Sequence, residues 1–206
     1  MHVRALVMAC KLWNYASKDE VGAVIESSIS ILGHAACKPE QKEAVTKVLE
    51  GKDVFVSVPT GYGKSAIFQM VPTCAKKLLA KSERGDIRHP AVLVISPLVS
   101  LITDQVNKLE AVGLSAVHLS SQAHSDHGNE PLFRDIIEGP VSHIFSSPEA
   151  ILDTKWRSLL LKPTFVNRIV VLLTRPVVFP SGDTNFAEPT LRLLNFGPSC
   201  RLVRLF

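Results

Sequence analysis

Between Lys52 and Leu173 the chain alternates short, β-branched apolar runs with amphipathic stretches of helical length. Repeated strand-helix units around a parallel sheet require this alternation, because each crossover helix covers a sheet face and leaves the strands buried on both sides. Residues 54–58, 91–95, 116–119, 143–146 and 169–173 are short and mostly apolar, which predicts five strands. Ile102, Val106 and Leu109 recur at helical spacing, as do Ala44, Val45, Val48 and Leu49 ahead of the first strand. Such stripes predict helices that face a core. The expected fold class is α/β, with helices flanking a parallel sheet.

One segment of this pattern carries chemistry. The run Val58-Pro59-Thr60-Gly61-Tyr62-Gly63-Lys64-Ser65 lies directly after an apolar strand and directly before a helical stretch, which is the context of a phosphate-binding loop. Gly61 and Gly63 permit backbone torsions and close approaches that a Cβ would obstruct, so successive N–H groups can curl around phosphate oxygens at a helix N-terminus. Lys64 is placed to neutralise the β- and γ-phosphates of ATP, and the Ser65 hydroxyl to coordinate Mg²⁺. The general pattern begins with Gly, where this chain has Val58.

Composition sets broad limits. A chain of 206 residues has room for one domain with short extensions. With 46% hydrophobic and 20% charged residues it reads as neither disordered nor fibrous. The net charge of +4 permits contact with phosphate backbones, but the excess is small and unlocalised. Cys10, Cys37, Cys74 and Cys200 are scattered, which fits a reducing compartment. The apolar runs are strand-sized, well short of the roughly 18 residues a membrane span needs, so no membrane partner is expected.

Four motifs in order resemble the RecQ family of superfamily 2 DNA helicases, over residues 36–171. The motifs are Lys38-Pro39-Glu40-Gln41, the loop Pro59 to Ser65 followed by Gln69, the run Val94 to Val106, and Phe145-Ser146-Ser147-Pro148-Glu149-Ala150. The resemblance implies a single RecA-like lobe that binds ATP and Mg²⁺, with Gln41 as reader of the adenine edge and Pro59, Thr60, Gly61, Tyr62, Gly63, Lys64 and Ser65 around the phosphates. It implies that Ser96, Pro97, Ser100, Thr103, Ser147 and Pro148 line DNA, single-stranded or forked, by holding its backbone without reading sequence. It further implies an ATP-dependent 3'-5' helicase acting in DNA repair, with a nuclear setting favoured over a cytoplasmic one. Cys37 and Lys38 stand where the family often has an aromatic residue and an arginine.

Relatives in that family carry Asp-Glu-Ala-His after an apolar strand, where one acid holds Mg²⁺ and one orients the attacking water. Here Ile169 to Leu173 is followed by Thr174-Arg175-Pro176, with no acid before Asp183. Hydrolysis is therefore expected to be crippled, and the alternative function is a hydrolysis-deficient nucleotide- or DNA-binding regulatory module. The expected organisation is a helical extension over residues 1–33, an ATP-binding lobe over 34–173 and an irregular tail over 174–206, as in a truncated, alternatively spliced or mis-predicted helicase product.

Overall fold

A computed structural model describes residues 16–81, 89–119, 130–154, 156, 158, 161–174 and 201–205. The first helix, α1 (Lys18–Ile31), starts at a reciprocal cap: Ser17 accepts from the Glu20 backbone N–H while the Glu20 carboxylate accepts from the Ser17 N–H. This cap satisfies two N–H groups that an open helix end would leave bare. Then come α2 (Pro39–Leu49), β1 (Val54–Val56), α3 (Lys64–Ala80), β2 (Ala91–Ile95), α4 (Val99–Ala111) and β3 (Ala116–Leu119). Beyond these lie α5 (Glu130–Ile137), β4 (His143–Ser146), α6 (Pro148–Leu152), α7 (Pro163–Arg168), β5 (Ile169–Thr174) and β6 (Arg201–Leu205).

The strands form one six-stranded sheet in the order β1-β6-β5-β2-β4-β3, and every pairing is parallel. All strand C-termini therefore open on the same edge, where ligands bind in open α/β sheets. β2 shows how the sheet is covered. Val92 and Val94 face a cluster built with α1, α2, α3 and α4, while Ala91, Leu93 and Ile95 face a second cluster containing Ile136, Ile144, Trp156 and Phe165. The period of two sends alternate residues to opposite faces, and both faces are apolar because both are covered.

Two expectations are corrected. Residues 174–206 are not wholly irregular, because Arg201–Leu205 forms a sixth strand inserted between β1 and β5. Without it, β1 and β5 would each present a row of unpaired N–H and C=O groups to the gap between them. That gap is created by distant parts of the chain, and no local pattern in Arg201-Leu202-Val203-Arg204-Leu205 announces it. Residues 175–200 lie outside the described residues. The boundary after residue 33 also moves, because Val21, Val24, Ile25 and Ile29 of α1 are buried in the same core as α3. Lys81 pairs with Glu20 and Lys77 bonds the Ser27 hydroxyl, so α1 is fastened to α3 at its surface as well. Residues 1–15 lie outside the described residues.

Candidate functional site

The loop between β1 and α3 has the backbone its sequence demands. Gly61 and Gly63 lie in the left-handed region at φ 82° and 94°, where a Cβ is strained. Tyr62 N–H turns back to the Pro59 carbonyl at 3.2 Å. The strand itself ends at Val56, two residues earlier than expected, since the chain must leave the sheet before that turn. No side chain caps the start of α3 and no acid lies in its first turn, so the helix N-terminus is open to an anion. The Lys64 ammonium donates to the Val58 and Pro59 carbonyls at 2.7 and 3.1 Å, curled over its own loop.

A brace from α2 holds this loop. Gln41 is buried, as its place on the Gln41, Ala44, Val45, Val48 stripe requires. Its Nε2 donates to the Gly63 carbonyl at 2.8 Å, and its Oε1 accepts from the Lys38 N–H at 3.0 Å. Lys38 donates to the Tyr62 carbonyl at 3.0 Å, and its ammonium stands 4.2 Å from the centre of the Tyr62 ring. The Tyr62 hydroxyl donates to Glu40, a bond that holds the Glu40 carboxyl below its ordinary pKa. The segment thus grips the β1–α3 loop through Lys38, Glu40 and Gln41. Glu26 of α1 accepts from the Cys37 N–H at 3.2 Å and pairs with Lys42 at 3.1 Å, so α1 supports the brace from behind.

The strand ends beside the loop divide into exposed and buried groups. Pro97 is half-buried, and Leu98, Val99, Ser100 and Thr103 are exposed at the rim. The Thr103 hydroxyl returns a bond to the Val99 carbonyl at 3.2 Å. Ser96 departs from the expectation of a surface phosphate donor. It is 3% exposed, its N–H donates to the Ser146 carbonyl, and its hydroxyl is the one buried side-chain polar atom among the described residues with no partner. Ser147 is half-buried and caps α6 by accepting from the Ala150 N–H at 3.1 Å, while Pro148 at the first position of that helix is buried. Period-two alternation after Val92 and Val94 would have placed Ser96 inside.

Among the described residues, no carboxylate stands at the end of β5, where the resemblance calls for one. β5 ends at Thr174, in register with Ile95 on one side and Arg204 on the other. Among the described residues, none of the six strands ends on a carboxylate. No group of three or more metal-ligating His, Cys, Asp or Glu side chains occurs among the described residues either. No described helix is long and apolar enough to cross a membrane.

The family profile described as DEAD/DEAH box helicase matches residues 38–171, more than half of the chain and the span from the brace to β5. The chain belongs to the DEAD/DEAH box helicase family. Among curated proteins, this helicase domain is 38% identical over 114 residues to the ATP-dependent helicase SGS1 of Saccharomyces cerevisiae, covering 55% of this chain and 7% of that protein. It is 30% identical over 131 residues to the ATP-dependent DNA helicase RecQ of Haemophilus influenzae, covering 64% and 19%. It is 35% identical over 131 residues to the ATP-dependent helicase wrn-1 of Caenorhabditis elegans, covering 62% and 11%. The domain is thus RecQ-like, and the chain spans less than a fifth of the length of each of these relatives. A solved structure, the DUF1998 helicase MrfA bound to DNA and AMPPNP, shares its fold with a TM-score of 0.55 and 16% identity, over 88% of this chain and 25% of that one.

Proposed function

We propose that this helicase domain binds ATP with Mg²⁺ on the loop Pro59 to Ser65 and lays single-stranded or forked DNA along the rim formed by Pro97, Ser100, Thr103 and Ser147. The observation that carries the nucleotide reading is the uncapped start of α3 preceded by two left-handed glycines, with Lys64 above it. Lys64 exchanges two carbonyl partners for phosphate oxygens, and the Ser65 hydroxyl is the protein's ligand to Mg²⁺, an ion that neutralises charge between the phosphates. Gln41 reads an adenine edge only by giving up its weaker contacts, from Nε2 to the Tyr62 carbonyl at 3.5 Å and from the Cys37 thiol to Oε1 at 3.9 Å, while it keeps those to Gly63 and Lys38. The names SGS1, RecQ and wrn-1 all belong to ATP-dependent helicases, which supports ATP as the nucleotide.

A second reading rests on Thr174 at the end of β5, where hydrolysis in this family calls for acids. In that reading the chain holds ATP or DNA without turnover and regulates an intact helicase. Fluorescence titration with Mg²⁺ and an ATP analogue tests the shared core of both readings. Lys64→Ala is expected to weaken binding at least about tenfold, the loss of one charge-assisted contact, with folding retained. Equal affinity of the two proteins would remove the loop from the site.

A further inference from the structure

Helices α3 and α4 meet through a polar contact in an otherwise apolar core. Gln69 Nε2 donates to Gln105 Oε1 at 2.8 Å, and both residues are buried. A buried amide pair gains little net stability over apolar side chains of similar shape, but it fixes the register of the two elements that carry it. Gln69 is also pinned from a third direction, since its main-chain carbonyl accepts from His143 Nε2 of β4 at 3.1 Å. Gln69 lies one helical turn below Ser65 on α3, and Gln105 one turn below Leu101 on α4.

Directly above the pair, packing is incomplete. Ser65, Phe68, Ser96, Leu101, Ile102 and Gln105 are among the residues lining a cavity of about 10 Å³, room for a single water. The unpartnered Ser96 hydroxyl belongs to this lining. The starts of α3 and α4 therefore face each other across a void, while one turn deeper they are tied by hydrogen bond. Tight cores resist small shifts; a void above a fixed point permits one helix start to tilt against the other.

We propose that the Gln69–Gln105 pair is a positioning device, a pivot through which occupancy of the phosphate loop at Ser65 moves the start of α4 and thereby the rim at Pro97, Ser100 and Thr103. This rests on the nucleotide-binding reading of the loop. The cavity is the space into which the movement goes, and the unpartnered Ser96 hydroxyl is the group that can gain a partner when it does.

Hydrogen exchange on the full chain, with and without Mg²⁺ and a non-hydrolysable ATP analogue, tests the pivot. In the unmodified protein the nucleotide is expected to slow exchange across residues 61–68 and also, by about fivefold or more, across residues 98–105. Gln105→Leu, and the apolar pair Gln69→Met with Gln105→Leu as a second variant that fills the same space, are expected to keep nucleotide affinity within about twofold and protection at 61–68, while losing the response at 98–105. A response confined to 61–68 in the unmodified chain, or one that persists at 98–105 in the apolar pair, overturns the pivot and leaves the nucleotide site standing. No protection at 61–68 in the unmodified chain overturns the nucleotide reading itself, and the pivot with it.

Discussion

Gln41 Nε2 stands 2.8 Å from the main-chain oxygen of Gly63, and a Cβ added to Gly63 would lie 2.7 Å from that same nitrogen. The glycine is thus fixed twice, by its left-handed backbone and by the brace that crosses it. Gly63→Ala is expected to displace Gln41, open the loop and abolish nucleotide binding, while costing about 1–2 kcal/mol of stability in urea unfolding. Gly61→Ala separates the two effects, because a Cβ at Gly61 meets nothing within 4 Å. It keeps the strain and leaves the brace untouched. If the two variants bind nucleotide equally, backbone strain alone explains the glycines and the brace has no part in it.

How much of this was legible follows from where each signal is stored. The five strands expected from the sequence are present because a parallel strand covered on both faces is an uninterrupted apolar run, visible in five residues such as Ala91 to Ile95. The backbone of the loop was legible because Gly61 and Gly63 are each required by a local left-handed turn. β6 was not, because its place depends on the gap between β1 and β5 rather than on its own residues. Membership of α1 in the core was readable in principle from Ser17 and Glu20, spaced as a capping box ahead of Val21, Val24 and Ile25. The Gln69–Gln105 pair joins residues 36 apart and has no local signature.

Arg168, 5% exposed, donates to the carbonyls of His89, Asp135, Ile136 and Val141. Two of these carbonyls belong to the last turn of α5, where a cation also meets the negative end of the helix dipole. Burial lowers its pKa to about 10, which still leaves it charged at neutral pH. Arg168→Met takes the side-chain donor from four carbonyls, of which those of Ile136 and Val141 are bonded in buried surroundings, and is expected to cost about 3–5 kcal/mol, read as a lower urea midpoint. Arg168→Lys replaces the fork with a point charge and should recover less than half of that. A lysine variant as stable as the unmodified protein would show that charge, not the fork, holds these segments.

His143 is fully buried in β4, its Nε2 on the Gln69 carbonyl and its Nδ1 2.9 Å from the Ser142 hydroxyl. Burial pushes its pKa down to about 4 from the usual 6.5. The folded state therefore prefers the neutral ring. The stability this contributes is complete above about pH 6.5 and is lost as pH falls toward 4, because the unfolded chain takes up the proton first. At pH 4.5 the loss amounts to about 2–3 kcal/mol. His143→Gln keeps a donor near the Gln69 carbonyl but cannot titrate, so its urea midpoint should fall less steeply over this window. Parallel acid limbs in the two proteins would mean that other groups govern the acid response.

The last expectation concerns turnover. In-line hydrolysis needs a carboxylate to hold the metal against the phosphates and another to orient water, and both must project from a strand end beside the phosphate loop. β5 carries Thr174 at that end, next in sequence to Arg175, and its register neighbours there are Ile95 and Arg204. A threonine at the strand end supplies neither a carboxylate for the metal nor a base for the water. Phosphate release from MgATP is therefore expected to stay at the level of the Lys64→Ala protein, with or without single-stranded DNA, even at nucleotide concentrations that saturate binding. Release stimulated by DNA and abolished in Lys64→Ala would falsify this, and would require an acid reaching the loop from outside the described residues.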